Sequence, residues 1–196
     1  MREEKDYVFG YGSLLDRATS GATRGRVCHL SGYTRLWNVA MENRRTLAGY
    51  KYYLDAETQE RPDVFVVFLN IAARKGAQVN GVILPVDAAE LSSLDTRERN
   101  YSRVNVSAAL EEPVAGEVWA YIGTEEARAR YERGAREHRT LISREYYDQV
   151  RSQFRQFAPD ALAEFERLTE PLPCPLAELI RVDVDEGERQ GARRAI

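Results

Sequence analysis

The chain contains few of the residues that bind metals or form disulfides. Its 196 residues include only two cysteines and two histidines, which is too few for a disulfide framework and leaves neither histidine with a second ligand at metal spacing. Cys28 lies in an apolar run and is predicted to be a buried, unreactive thiol. Cys28 and His29 are neighbours on a predicted strand, so their side chains point to opposite faces. The sequence therefore predicts no zinc site.

Long apolar runs and a strong charge of one sign are also missing. No run approaches the roughly 20 apolar residues that a membrane-spanning helix needs, and the first six residues are mostly charged, unlike a signal peptide. The net charge of −3 gives no attraction for nucleic acid or for an anionic lipid surface. We therefore expect a soluble protein of the reducing cytoplasm, with neither nucleic acid nor a membrane as a partner.

Lysine is scarce too, because only Lys5, Lys51 and Lys75 are lysines among 28 basic residues. Genomic base composition explains this bias without a functional reason. What is present is an ordinary globular balance, with 43% hydrophobic and 30% charged residues, in a length that suits one domain with its own core. We expect that domain to span residues 1–170.

Apolar patterning predicts strands in the first two thirds of the chain and helices between and after them. The predicted strands are residues 7–9, 27–30, 33–39, 51–54, 64–69, 79–86, 103–110 and 116–122. The predicted helices are residues 87–99, 124–136, 143–157 and 160–168. Asp87, followed by Glu90, predicts a capping box at the first helix. The Pro-rich and charged segment 171–196 is expected to end regular structure and to be partly disordered.

Two glycines flank the end of the first predicted strand, in the segment G-Y-G-S-L at residues 10–14. Glycine lets the backbone curl, so that several N–H groups point to one place and hold a carboxylate or phosphate. The alternative is a plain strand-to-loop turn. The segment lacks the third glycine of a dinucleotide fingerprint and the Gly-Lys-Ser/Thr of a P-loop. Ser13 is not in a G-x-S-x-G motif, which disfavours a serine hydrolase.

Glu98 lies at the end of an apolar helix face. Leu91, Leu94 and Glu98 follow i, i+3, i+7 spacing, and the opposite side of the helix is polar. A carboxyl group that is buried without a full partner has a raised pKa, which suits a general base that works near neutral pH. The alternative is an ion pair with one of the nearby arginines, which are Arg97, Arg99 and Arg103. The helix alone does not decide between the two.

Tyrosines supply further candidates, because a tyrosine hydroxyl in a pocket can position a polar ligand. Tyr101 follows Glu98 by three residues, and Tyr146 lies on the third predicted helix. The chain has eleven tyrosines, so either placement has little weight alone.

Taken in order, these segments resemble the γ-glutamylcyclotransferase family, with its γ-glutamylamine cyclotransferase, AIG2-like and ChaC-like members. The family's Y-G-S-(L/N) stands here at residues 11–14, its L-D-x-x-E at residues 94–98, and a Glu-Tyr pair on a later helix at residues 145–146. The resemblance covers residues 7–157. Leu14 is typical of the Y-G-S-L branch, and the Ile-Trp continuation of glutathione-specific ChaC-type enzymes is absent, which disfavours glutathione.

The resemblance implies an α+β fold, a small mixed β-barrel with flanking helices and a helical C-terminal extension. It also implies that the α-amine of a γ-glutamyl substrate attacks the γ-carbonyl, which forms 5-oxoproline and releases an amine or amino acid. Glu98 is then the general acid and base, and neither a metal nor a cofactor takes part. The substrate-binding residues carried over from the family are Tyr11, Gly12, Ser13, Leu14, Tyr101 and Tyr146.

Two other functions stay open. The first alternative is a non-catalytic ligand-binding or interaction module of the same fold. The second is an amidohydrolase that releases glutamate from γ-glutamyl amides. Residues 43–46 either face the leaving group or form an exposed basic loop. The sequence indicates neither the leaving group nor the oligomeric state, with a homodimer among the options.

Overall fold

The computed structural model describes residues 6–15 and 25–185, which form a mixed α+β fold and confirm the expected fold class. The strands are β1 (Asp6–Gly10), β2 (Arg26–Glu42), β3 (Lys51–Asp55), β4 (Phe65–Val86), β5 (Tyr101–Asn105), β6 (Val118–Gly123), β7 (Thr140–Ser143), β8 (Leu176–Ala177) and β9 (Leu179–Asp183). The helices are α1 (Ala88–Arg97), α2 (Glu125–Arg136), α3 (Arg144–Phe157) and α4 (Ala161–Arg167). No helix within these ranges is long and apolar enough to cross a membrane.

Seven strands form one sheet in the order β5-β6-β1-β4-β7-β8, with β2 paired to β4, while β3 and β9 form a separate two-stranded sheet. Strand β1 runs antiparallel to β4 and parallel to β6. The two ends of the path, β5 and β8, are not paired with each other in the part of the chain that the structure describes.

Strands β2 and β4 form the longest ladder, from Arg26 opposite Ile83 to Glu42 opposite Phe65. Each was predicted as two shorter strands, and that prediction is wrong. The register shifts between Ser31 and Tyr33, and Gly32 there has a φ of +80°. A bulge of this kind takes up extra residues without ending the strand, so a local break in the apolar pattern does not mark a strand end.

Local capping signals correctly place the helix starts. The Asp87 side chain accepts from the Glu90 N–H, and the Glu90 carboxylate accepts from the Asp87 N–H, which confirms the capping box. Thr124 and Ser143 cap α2 and α3 in the same way, since each side-chain oxygen accepts an N–H from the first turn. These caps satisfy backbone donors that have no partner within the helix.

One predicted strand end and the predicted end of regular structure are wrong. Strand β5 stops at Asn105 and does not reach Leu110, because the Asn105 side chain accepts from the Ser107 N–H at 3.0 Å and turns the chain into a short 3-10 helix over Ser107–Ala109. Regular structure does not end at Pro175, since β8 and β9 follow. The tail beyond Asp185, which was predicted to be disordered, lies outside the described residues.

The apolar core has two parts. The larger cluster packs the sheet against the helices, and Phe9, Leu69, Leu94 and Phe154 are among its buried members. A smaller cluster lies beneath the β3–β9 sheet, and its buried members are Met41, Tyr53, Val66, Phe68 and Leu179. The smaller cluster holds the two-stranded sheet beside β4, where it forms one side of the candidate site.

A buried arginine ties the β2–β4 ladder to the C-terminal helices. The guanidinium of Arg35 on β2 packs against the adjacent rings of Phe154 and Phe165, at 5.0 and 4.6 Å from their centroids. It donates to the side chains of Asn80 and Thr169 at 3.1 Å. Burial lowers the pKa of Arg35 to about 9. These ring contacts and hydrogen bonds pack α3 and α4 against the sheet.

Candidate active site

The site forms along one edge of β4, and neighbouring strands pair with this edge only at the two ends of β4. One edge of β4 pairs with β2, while the other pairs with β7 at Phe65–Val66 and with β1 at Val82–Val86. Between these two ladders is a gap, a stretch of this edge with no paired strand, and the backbone of Leu69 and Ile71 faces it. Backbone groups in a buried gap need partners, and tyrosine side chains supply them.

Three tyrosine hydroxyls bond to the backbone in this gap. The Tyr101 hydroxyl donates to the Leu69 carbonyl at 2.7 Å. The N–H of Leu69 donates to the Tyr146 hydroxyl, and the N–H of Ile71 donates to the Tyr11 hydroxyl. Burial raises the pKa of each of these tyrosines well above its usual value, so the hydroxyls stay neutral. The tyrosines therefore complete the hydrogen bonding of β4 and also form a wall of the site.

The loop after β1 lies against this wall. The Leu15 N–H donates to the Gly12 carbonyl at 3.0 Å, which closes a single 3-10 turn over Ser13–Leu15. The Ser13 side chain hydrogen-bonds to the Tyr146 hydroxyl, whereas the Leu14 side chain is buried in the core. Ser13 is therefore the residue of this loop with a polar side chain directed at the tyrosine wall.

The backbone freedom expected of the loop glycines is not used. Neither Gly10 nor Gly12 has a positive φ, so the loop does not need the left-handed backbone that glycine allows. A Cβ at Gly12 would lie 3.4 Å from the Tyr146 hydroxyl oxygen and 3.7 Å from Leu69 Cβ. Glycine is suited to this position because it lets the loop approach the tyrosine wall closely.

Glu98 is the C-cap residue of α1, just beyond the last helical residue. Its N–H donates to the Leu94 carbonyl at 2.8 Å, and its carbonyl accepts from the Tyr101 N–H at 2.9 Å. These two bonds direct the side chain inward, where it is 14% exposed. Leu94, on the same helix face, is buried as predicted.

The charge state of Glu98 is set by opposing effects. Burial raises the pKa of the carboxyl group, while the positive charges of Arg97 and Lys51 lower it, and the net direction is upward. Arg97 Nε lies 3.2 Å from Glu98 Oε1, with the arginine side chain 52% exposed. The ion pair named as the alternative thus exists, although it is not the larger effect. A partly desolvated carboxyl group with a raised pKa is suited to exchanging protons.

Two cavities meet at Glu98. The smaller, about 30 Å³, is lined by every residue that the sequence assigned to the site, namely Tyr11, Gly12, Ser13, Leu14, Glu98, Tyr101 and Tyr146. The larger is a cleft of about 680 Å³. Ser13, Glu98, Tyr101 and Tyr146 line both. The structure therefore brings the predicted residues together around a small cavity that adjoins a larger cleft.

Most of the cleft wall was missed by the sequence analysis. It includes Tyr50, Lys51, Asn100, Arg181 and Asp183. Strand β9 follows a proline-rich segment and pairs with a strand about 130 residues earlier, from Lys51 opposite Asp183 to Asp55 opposite Leu179. No local sequence pattern predicts a pairing between strands so far apart in the chain. The isolated Lys51 in an arginine-rich chain is the available signal, but base composition also explains the scarcity of lysine.

Residues 43–46 were predicted either to face the leaving group or to form an exposed basic loop. Arg44 and Arg45 are exposed, as an exposed basic loop predicts. Asn43 is fully buried and holds the turn together, since its side chain donates to the Tyr53 carbonyl at 2.9 Å and accepts from the Tyr53 N–H at 2.8 Å. None of these residues lines the cleft.

Cys28 lines neither of the two cavities. Cys28 is buried as predicted, and burial raises the pKa of its thiol to about 12. Across residues 6–15 and 25–185, no three His, Cys, Asp or Glu side chains are grouped so as to hold a metal ion.

The sequence matches one family model over most of its length. The model is described as “Gamma-glutamyl cyclotransferase, AIG2-like” and matches residues 8–149. The chain therefore belongs to the γ-glutamyl cyclotransferase, AIG2-like family, and this membership supports a cyclotransferase type of activity. Among curated proteins, none matches this sequence.

Solved structures share the fold at low sequence identity. A structure named “Gamma-glutamyl cyclotransferase” is 16% identical with a TM-score of 0.53, over 86% of this chain and 90% of that chain. A human structure described as the uncharacterized protein loc79017 is 15% identical with a TM-score of 0.53, over 87% of this chain and 90% of that chain. These likenesses establish the fold and leave substrate and mechanism to be argued from the site.

Proposed function

We propose that this protein is a γ-glutamylcyclotransferase that converts a γ-glutamyl amino acid or amine to 5-oxoproline and releases the amine. The observation that carries the proposal is the Glu98 carboxyl group, inward-facing and with a raised pKa, at the junction of the two cavities. It stands in a motif of the family to which the chain belongs.

Cavity size supports a division of the substrate between the two spaces. A volume of about 30 Å³ admits only a small polar end group, such as the α-carboxylate of the glutamyl moiety. A cleft of about 680 Å³ has the size of ordinary ligand pockets. The γ-carbonyl then lies near Glu98, the glutamyl end group points to the loop at residues 11–14, and the leaving group extends into the cleft.

The chemistry assigned to Glu98 is proton transfer. The ionised carboxylate removes a proton from the substrate's α-ammonium group, and the amine nitrogen attacks the γ-carbonyl carbon. Glu98 passes this proton to the leaving nitrogen, and the regenerated carboxylate takes the second proton that the ring nitrogen must lose. Collapse of the tetrahedral intermediate then breaks the bond to the leaving amine, which is released. The new bond closes a five-membered ring within one molecule. Much of the rate enhancement is therefore expected from holding a folded conformer.

Product identity tests this proposal. A γ-glutamyl substrate with an unmodified α-amine and its N-acetyl derivative are incubated side by side, and the products are identified by mass spectrometry. The proposal expects 5-oxoproline from the first substrate and no turnover of the second, because an acetylated nitrogen cannot cyclise.

The other outcomes distinguish the alternatives. Glutamate as a product, or cleavage of the N-acetyl compound, indicates an amidohydrolase that uses water. Binding of the γ-glutamyl compound with no turnover indicates a non-catalytic module. Either result contradicts the cyclotransferase assignment.

A further inference from the structure

The cleft contains a lysine that the cyclisation chemistry does not use. Lys51 and Tyr53 lie two residues apart on β3, and Arg181 and Asp183 lie two residues apart on β9, so each pair faces one side of its strand. Lys51 is opposite Asp183 and Tyr53 is opposite Arg181. All four residues line the larger cleft. The two-stranded sheet thus presents one face as a wall of the space assigned to the leaving group.

The carboxylates beside Lys51 already have arginine partners. The Arg181 Nε and Nη2 atoms lie 2.8 and 2.6 Å from Asp183 Oδ1, and Arg97 pairs with Glu98 at 3.2 Å. The Lys51 ammonium instead lies over the Phe68 ring, 4.6 Å from its centroid. Within the described residues, no carboxylate oxygen comes within ion-pairing distance of Lys51. Its ammonium group is therefore available to a negatively charged ligand group in the cleft.

Position 51 carries a lysine in a chain whose basic residues are nearly all arginine, which indicates a requirement for an ammonium group there. Burial and the nearby Arg181 lower the pKa of Lys51 to about 8, so the protein holds an ammonium group where it is poorly solvated. Arginine supplies 25 of the 28 basic residues in this chain, since 28 less the three lysines leaves 25. A compact ammonium on an unbranched stem fits between aromatic rings and contacts a single carboxylate at close range.

We propose that the Lys51 ammonium binds the carboxylate of the leaving group, so that the preferred substrates are γ-glutamyl amino acids and not γ-glutamyl amines. The proposal rests on the cyclotransferase function proposed above. Glu98 and Lys51 line the same cleft, and in a γ-glutamyl amino acid the carboxylate is attached one carbon away from the nitrogen that Glu98 protonates. A carboxylate at this position supplies Lys51 with an ion-pair partner, which no described residue of the cleft provides.

A matched pair of substrates isolates this contact. γ-Glutamyl-alanine and γ-glutamyl-ethylamine differ only in the carboxylate of the leaving group. Wild-type kcat/KM is expected to be about 10- to 100-fold higher for the alanine compound, the range of one charge-assisted hydrogen bond. Lys51→Met keeps the unbranched stem over Phe68 and removes the charge. It should lower kcat/KM for γ-glutamyl-alanine by a similar factor and change that for γ-glutamyl-ethylamine by less than about threefold.

Lys75→Met is the control, because Lys75 is exposed on β4 and does not line the cleft. It should leave both substrates unaffected. Equal losses on both substrates in Lys51→Met, or a wild-type preference for the ethylamine compound, would overturn the proposal.

Calorimetric binding separates this proposal from the proposed function. Both compounds are titrated into Glu98→Gln and into the double variant Glu98→Gln/Lys51→Met. Tighter binding of the alanine compound that disappears without Lys51 supports the carboxylate subsite even if the wild type forms no 5-oxoproline. Equal binding of the two compounds to Glu98→Gln rejects the subsite even if 5-oxoproline is formed.

Discussion

The Tyr101 hydroxyl donates a 2.7 Å hydrogen bond to the backbone carbonyl of Leu69. That carbonyl faces the stretch of β4 where neither β1 nor β7 forms a ladder, so the tyrosine replaces a missing strand bond. The same gap gives the loop at residues 11–14 its place beside α3. The tyrosines that line the site therefore also satisfy backbone groups of β4 that no neighbouring strand pairs. Their structural and functional roles can be measured separately.

Tyr101→Phe removes the hydroxyl and leaves the buried Leu69 carbonyl without this donor. We expect the free energy of unfolding to fall by about 1 to 3 kcal/mol, the usual penalty for an unsatisfied buried polar group, with a smaller effect on KM. Chemical denaturation measures the first quantity and steady-state kinetics the second. Tyr52→Phe is the control and should change neither quantity, because Tyr52 lies on the face of β3 opposite to the cleft-lining residues Lys51 and Tyr53. A stable Tyr101→Phe variant with a strongly raised KM would instead identify this hydroxyl as a ligand-binding group.

Glu98→Gln keeps the shape of the side chain and removes the proton acceptor. We expect kcat to fall about 100-fold or more, with a native circular dichroism spectrum. Glu145→Gln is the matched control, because Glu145 also lines the cleft but is exposed on the first turn of α3. It should retain at least about half of the wild-type activity. A stronger loss in Glu145→Gln than in Glu98→Gln would move the base to the other wall of the cleft.

The pH dependence of the rate reports the ionisation of Glu98. The base acts as a carboxylate, so activity should rise with pH, and burial places the midpoint above the ordinary value of 4.5. Arg97 lowers the pKa of Glu98 through its charge, so Arg97→Gln should move the midpoint further upward. Profiles of kcat against pH for both proteins measure the displacement. A downward displacement would show that the rising limb belongs to another group.

The sequence predicted local features of the site better than distant pairings. Glu98 was identified because helix spacing and a family motif converge on it, and Asp87 caps the same helix as expected. Strand β9 was missed because its partner β3 lies far away in the chain, so the pairing depends on tertiary contacts and not on a local pattern. The place of Lys51 in the cleft is not predictable from local sequence either, since that part of the cleft wall depends on β9.

Gly12 tests whether close approach, and not backbone freedom, explains the loop glycine. A Cβ there would meet the Tyr146 hydroxyl oxygen at 3.4 Å, which a small adjustment relieves. Gly12→Ala should therefore fold, with a modest rise in KM. Gly12→Val adds two methyl groups against the tyrosine wall and should raise KM or lower kcat by about tenfold or more. Thermal unfolding and kinetics are measured for both variants, with Ser13→Ala for comparison. Equal, wild-type kinetics in the Ala and Val variants would show that the substrate does not reach this loop.

Lys51 should carry a stability penalty that depends on pH. Its pKa is lowered from 10.5 to about 8 in the folded protein. Between these two values the unfolded chain binds more protons than the folded protein, so this group makes stability rise with pH across that window. The penalty is complete below pH 8 and disappears above about 10.5. We therefore expect Lys51→Met to be more stable than wild type at pH 7, by about 1 to 2 kcal/mol after an allowance for partial exposure.

The measurement is the free energy of unfolding by denaturant, at intervals from pH 7 to pH 10.5, for wild type and Lys51→Met. The difference between the two should shrink as pH rises through this window, because deprotonation relieves the wild-type penalty while methionine does not titrate. Lys75→Met, in which an exposed ammonium is removed, should show no such trend. A Lys51→Met variant that is less stable than wild type at pH 7 would mean that the ammonium already has a stabilising partner. It would also remove the reason to expect that a substrate carboxylate supplies one.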